Sequence, residues 1–341
     1  MNNPPQSDIS PIDIVYLWVN GNDPQWLNKR QQAAAKLLDT RDLAMYANVE
    51  GRFRDNGELR YSLRALERFF PAHGHVYIVT DDQTPDWLVS SERLTVIDHR
   101  DLIPAALLPT FDSGNIESYI HRIPGLSERY FYLNDDVFFG APVQISDWFC
   151  PGGVYTAWSD EPQVSDEPLR MDATSPENAC RFSNLWLSRL AAQTCSAYEH
   201  TFRTFAHSPR PMLRSVLYAL EQQLPEMFAA VRSTVFRTWD KPTVVSDFVL
   251  RWKLKQGLAQ MRDYSHMHFS TGAPDSEAQL QILSAYVGKL DFFCINDTTD
   301  DALAHDPRLL AVRQTLQLMF PVVSSFEANH HQQVTQQITP A

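Results

Sequence analysis

Two adjacent carboxylates interrupt an otherwise apolar and aromatic run in Tyr130–Gly140, YFYLNDDVFFG. Tyr130 to Leu133 reads as a buried strand that breaks into Asn134-Asp135-Asp136 and resumes with Val137, Phe138 and Phe139. Like charges side by side at the end of a buried strand are costly unless a cation neutralises them. Open α/β sheets collect ligands at the carboxyl ends of their strands, and a divalent metal carrying a substrate phosphate suits such a pair. Asn and Asp are also turn residues, so on these residues alone the metal and the surface turn stand level.

Three other strand-like runs end in similar clusters. Ile12–Val19 meets Asn20-Gly21-Asn22-Asp23, His75–Thr80 meets Asp81-Asp82, and Leu290–Ile295 meets Asn296-Asp297. Each alone reads as a turn, but several on one rim would form a hard-cation site of oxygen ligands for Mg²⁺ or Mn²⁺. Arg52, Arg54, Arg60, Arg64 and Arg122 gather near the same segments, as phosphate clamps or as the solvated face of a helix. His121 and His207, at apolar–polar junctions, are candidates for a general base or for structural roles. Trp18 could stack on a nucleobase or belong to the core. The chain carries no P-loop, GxGxxG, GxSxG or HExxH motif.

The elements that must position these residues alternate between strand and helix. A helix is expected over 25–47, and a second over Glu58–Phe70, which places Leu59, Leu63, Leu66 and Phe70 on one face. Leu94–Asp98 is a short strand and Ser113–His121 a helix. This order predicts an α/β fold: a Rossmann-like, largely parallel sheet with helices on both faces. Residues 141–205 are less regular, with an acidic, proline-bearing loop or lid over 160–177. Helical additions follow at Pro211–Val231 (bent at Pro225), Ser246–Gly257, Glu277–Lys289 and Leu309–Phe320. The expected organisation is a disordered leader (1–11), one catalytic domain (12–325) and a disordered tail (326–341). Within the domain, 12–145 would form the nucleotide- and metal-binding core, 146–205 a variable lid or acceptor region, and 206–325 a helical part completing the site.

The 341 residues carry a formal net charge of −12, which argues against nucleic-acid binding. Cys150, Cys180, Cys195 and Cys294 lie far apart without zinc spacing, as expected of reduced cysteines in a cytoplasmic protein. Neither a signal peptide nor a run long enough to span a membrane is apparent.

Four blocks resemble the conserved regions of the Stealth family, the sugar-phosphate transferases of bacterial capsule synthesis related to the GlcNAc-1-phosphotransferase α/β subunit. The first is Ile12–Pro24. The second runs through Arg52–Phe69, His75–Leu88 and Leu108–Gly140. The third pairs Phe205–Met212 with Val235–Pro242, and the fourth is Asp291–Asp297. The resemblance implies a glycosyltransferase-A-like core and a hexose-1-phosphate moved from a UDP-sugar to a glycan hydroxyl, releasing UMP, in capsule or cell-surface polysaccharide synthesis. It implies Mg²⁺ (or Mn²⁺) held by Asp135 or Asp136 with Asn296 and Asp297. It further implies Arg237, Arg60 and Arg122 on phosphoryl oxygens, His207 as the base with His121 in reserve, and Trp18, Asn20, Gly21 and Asp23 around the nucleotide. A peripheral place at the inner membrane face, docked on an export complex, is the family expectation. A metal-dependent glycosyltransferase releasing UDP and a non-catalytic glycan- or nucleotide-binding protein are the competing readings.

Overall fold

The computed structural model describes residues 11–37, 43–303 and 305–328. The leader, and the tail from residue 329, lie outside the described residues.

Among the described residues ten strands follow in chain order: β1 Asp13–Leu17, β2 Val76–Thr80, β3 Leu94–Asp98, β4 Arg129–Asn134, β5 Val137–Phe139, β6 Val154–Thr156, β7 Arg210–Leu213, β8 Ala259–Met261, β9 His266–Ser270 and β10 Phe292–Asn296. The main sheet runs β3-β2-β1-β4-β7. Its first four strands are parallel, and β7 closes the edge antiparallel to β4. Side chains alternate across a strand. Ile14 and Tyr16 of β1 therefore enter one core layer, and Val15 and Leu17 the other. The expected α/β architecture with a largely parallel sheet covered on both faces is the one observed.

The helix Glu58–Phe69 covers the first face. Its residues Leu59, Leu63 and Leu66 are completely buried, each worth about 1.5–3 kcal/mol of transfer free energy. The other face carries Ser113–Glu117, Arg214–Gln223, Pro225–Arg232 and Val249–Lys255.

Several expected boundaries move. The helix expected over 25–47 is Pro24–Ala34, opened by Asp23, whose Oδ1 accepts from Trp26 N at 2.8 Å. The block 211–231 yields β7 before its two helices, because Pro211 is tolerated in an edge strand. A 19-residue helix, Ser175–Gln193, stands where the sequence read irregular chain and the end of a loop. Phe326 and Glu327, at the start of the stretch expected to be a tail, are buried.

β5 leaves the main sheet for a second one, β5-β10-β9. The antiparallel pairing of Cys294 with Val137 continues through Ile295 N–H donating to Asp136 O at 3.1 Å. That register brings the end of β10, and Asn296 with it, against the Asp135–Asp136 turn.

Candidate active site

A cavity of about 740 Å³ opens at the carboxyl ends of β1 and β4 and is lined by Trp18, Asp135, Asp136, Asn296, Asp297, His207 and Arg237 among others. The remaining expected site residues lie elsewhere.

The acidic end is built by the β4–β5 turn and the start of the helix at Glu58. Burial, followed by the charges of Asp136, Glu58 and Asp55, holds the Asp135 carboxyl well above its usual range. Burial pushes Asp136 up to about 6, although the Cys294 thiol and the Arg52 charge oppose it. Glu58 rises to about 8, through burial and then Asp55. The Oδ1 atom of Asp136 is buried without a hydrogen-bond partner. An orphaned carboxylate oxygen inside a cluster of acids is what a hard cation would satisfy.

The cationic end is gathered by two residues. Ser113 Oγ accepts from Arg52 Nη2 at 3.1 Å and from Arg237 Nη2 at 2.8 Å. The completely buried Asp112 pairs with Lys241 through Oδ2 and lies 3.8 Å from Arg237 Nε through Oδ1. Burial, then the neighbouring Arg237, lowers the Arg52 guanidinium well below its ordinary value. Arg52, Arg237 and Lys241 thus stand together on one side of the cavity, with Asp112 and Glu117 beside them.

His207 lines the cavity with its ring stacked on His268, centroids 4.8 Å apart and planes at 10°. Burial, then the charges of His268, Arg210 and Arg237, lower its pKa well below the ordinary histidine value. The lowered pKa keeps the imidazole neutral at pH 7. His207, His268 and Cys294 bring ligand atoms within 4.8 Å of one another, a softer donor set than the carboxylates. An aromatic wall adjoins these polar groups: Trp26 sits 5.3 Å from both Phe53 and Phe111, and Phe111 stacks on Phe236 at 5.1 Å.

The structure places six expected substrate contacts outside the cavity, and it gives one expected metal ligand a full set of protein partners. Arg60 is outside the cavity because its Nε donates to Glu327, the same carboxylate that Arg64 engages. His121 is fully buried, 2.8 Å from Glu221, which also pairs with Arg122 and Arg232 in a separate cluster. Asn20 Oδ1 accepts from Asn22 N, and its backbone N–H bonds Gln83. Asp23 caps its helix. Gly21 N donates to Phe53 O at 2.7 Å, and a Cβ there would fall 2.4 Å from that oxygen. The turn after β1 thus serves the site indirectly, by seating the segment that carries Arg52. Asp297 reaches the cavity, but its carboxylate is already satisfied by Arg54, Asn56, Thr271 and the N–H and Oγ1 of Thr299. Those bonds outweigh burial and lower its pKa. Through these bonds Asp297 ties the end of β10 to the segment that carries Arg54.

Lys241, Glu58, His268 and Arg210 were not among the expected site residues. Lys241 stood inside the Val235–Pro242 block, but its pairing with Asp112 is a non-local contact without a local signal.

Models of three conserved regions match this chain: Stealth protein conserved region 1 over residues 10–38, region 2 over 52–156 and region 4 over 288–338. The chain belongs to the Stealth family. Two exopolysaccharide phosphotransferases of Streptomyces coelicolor are similar to it. One is 34% identical over 94% of this chain and 33% of its own length, the other 37% over 93% and 52%. Exopolysaccharide phosphotransferase CpsY of Mycobacterium leprae is 30% identical over 96% of this chain and 59% of its own. The chain spans a third to three fifths of these relatives. The crystal structure of galactosyltransferase LgtC with donor and acceptor sugar analogs overlaps 95% of this chain and 99% of its own. At 9% identity and a TM-score of 0.42, this is a similarity of outline. Among the described residues no helix is long and apolar enough to cross a membrane.

Proposed function

We propose that this Stealth protein transfers a hexose-1-phosphate, a HexNAc-1-phosphate by preference, from a UDP-sugar to a glycan hydroxyl. A phosphodiester forms and UMP leaves. The observation that carries this reading is one cavity lined by an acidic pair, a separate group of cations and a neutral histidine. Phosphoryl transfer asks for little else, since positioning and neutralisation of the developing charge lower most of its barrier. The exopolysaccharide phosphotransferase names of the relatives support the same class of reaction.

In this mechanism His207 accepts the proton of the acceptor hydroxyl as its oxygen attacks the β-phosphorus in line. Arg52, Arg237 and Lys241 hold phosphoryl oxygens where negative charge accumulates. The bond from the β-phosphorus to the bridging oxygen breaks, and UMP carries away the electron pair. Asp135 and Asp136, with Asn296, are the residues fitted to hold Mg²⁺ or Mn²⁺, given the unpartnered Asp136 oxygen. Such a cation supplies Lewis-acid neutralisation of the diphosphate. Trp26, Phe53 and Phe111 offer the uracil and ribose an apolar wall. The site would work at the cytoplasmic face of the membrane, beside the export machinery for the polymer.

The decisive measurement incubates the purified protein with UDP-HexNAc, Mg²⁺ and a short glycan acceptor and identifies the nucleotide released. UMP is expected. Release of UDP would make the protein a glycosyltransferase, and binding without turnover would make it a glycan- or nucleotide-binding protein.

A further inference from the structure

Arg210 opens β7 and is only 8% exposed, yet its guanidinium makes no hydrogen bond or ion pair among the described residues, and Nη1 is a buried orphan. A buried charge without a partner is among the most expensive arrangements a folded chain can hold. Its surroundings sharpen the problem. Lys253 is completely buried and donates only to Pro211 O, at 3.4 Å. Burial, and then Arg210, bring the Lys253 ammonium down to about 7. Among the described residues neither Arg210 nor Lys253 has a carboxylate partner.

Arg210 also lines a niche of about 10 Å³ with Tyr132, Asn134, Val137, His207 and Ser208. That volume accepts about one oxygen-sized atom. A water would supply a hydrogen bond but leave the charge uncompensated, whereas an anionic oxygen meets both needs. Arg52, Arg237 and Lys241 each keep a protein partner, Ser113 or Asp112, beside any phosphoryl oxygen they hold, whereas Arg210 has none among the described residues.

We propose that Arg210 binds a non-bridging oxygen of the phosphoryl group that is transferred. The assignment rests on the phosphotransferase reading. His207 shares the niche, and a base that deprotonates the attacking hydroxyl must stand beside the phosphorus under attack rather than beside the leaving nucleotide. The β-phosphate of UDP occupies the position of the transferred group, and UMP lacks it.

Calorimetric titration of the wild-type protein and of Arg210→Gln with UDP and with UMP, each with Mg²⁺, separates the possibilities. Loss of a charged hydrogen bond predicts UDP binding weakened about 10- to 100-fold in Arg210→Gln. UMP binding should stay within about threefold of wild type if Arg210 touches only the group that UMP lacks. Arg210→Lys keeps the charge but loses the planar fork, and an intermediate UDP affinity is expected. It also serves if the glutamine variant fails to fold, which thermal melting detects. Equal weakening toward UDP and UMP, or no change in either variant, overturns the role of Arg210. A wild-type protein that binds neither nucleotide overturns the UDP-sugar reading itself.

Discussion

Arg54 donates from Nη1 to Oδ2 of Asp297 at 2.6 Å, joining two residues 243 positions apart in the chain. Arg54 belongs to the segment that carries Arg52, and Asp297 closes β10 immediately after Asn296. Gly51 lies so close that a Cβ there would fall 2.5 Å from Asp297 Oδ1. The pair therefore clamps the cationic and acidic ends of the cavity in one arrangement. Removing one partner of a buried ion pair costs about 3–5 kcal/mol. Asp297→Ala is expected to lose about that much in denaturant unfolding at every metal concentration. If the variant keeps its stability and loses only metal affinity, Asp297 is a ligand after all.

The acidic pair should behave in the opposite sense. Asp135→Asn and Asp136→Asn remove charge from a repulsive cluster, so the metal-free variants should melt no lower than wild type at pH 7.5, while turnover falls by several orders of magnitude. Near-normal activity in both would remove the metal assignment.

The same carboxylates set a pH dependence. Burial raises Asp136 from its ordinary 3.8 to about 6 and Glu58 from its ordinary 4.5 to about 8 in the folded chain. Between those limits these two carboxyls hold more protons in the folded than in the unfolded chain, so their own contribution to stability falls as pH rises, while the buried histidines, whose pKa values are lowered, contribute in the opposite sense. The metal-free melting temperature of Glu58→Gln, taken relative to wild type, should therefore climb between pH 5 and pH 8, and millimolar Mg²⁺ or Mn²⁺ should raise the wild-type value at the upper end. A relative melting temperature that falls over this range would contradict the clustered carboxylates.

What the sequence disclosed, and what it withheld, divides along a physical line. Strands ending in polar clusters were legible because a continuous apolar run is a local signal, and family resemblance carried His207 and Arg237 to the cavity. The Ser175–Gln193 helix escaped although its start signal was present. Thr174 and Glu177 form a capping box, with Thr174 N 2.8 Å from Glu177 Oε2, hidden in a stretch that composition alone marked as loop. Non-local pairings left no such trace. Arg60 resembled a phosphate clamp until Glu327, from the presumed tail, occupied it. The saturation of Asp297 depends on Arg54, Asn56 and Thr271 folding onto it.

The stacked His207 and His268, with Cys294, offer a second and competing set of donors. Nitrogen and sulfur ligands favour Zn²⁺ over Mg²⁺. Micromolar Zn²⁺ is expected to inhibit turnover in saturating Mg²⁺ by occupying the histidine needed as base. Cys294→Ser should raise the half-inhibitory concentration about tenfold or more, in line with the loss of a metal-binding group. Equal sensitivity in the two proteins would mean that Zn²⁺ acts elsewhere, at the carboxylates for instance.

The two candidate bases are finally separated by their surroundings. His121 is closed off from the cavity, stacked edge-on against Tyr218 and held by Glu221, with burial as the main cause of a pKa near 4. His207 stands in the cavity wall, neutral and beside the cations. His207→Ala should lower kcat by about 10²–10⁴-fold, the usual contribution of general-base catalysis, with little change in melting temperature. His121→Gln should do the reverse. It leaves Glu221 its arginine partners Arg122 and Arg232, removes a buried hydrogen bond, and costs about 1–3 kcal/mol of stability with kcat preserved. A kcat loss in His121→Gln that survives correction for the folded fraction would transfer the base role to His121.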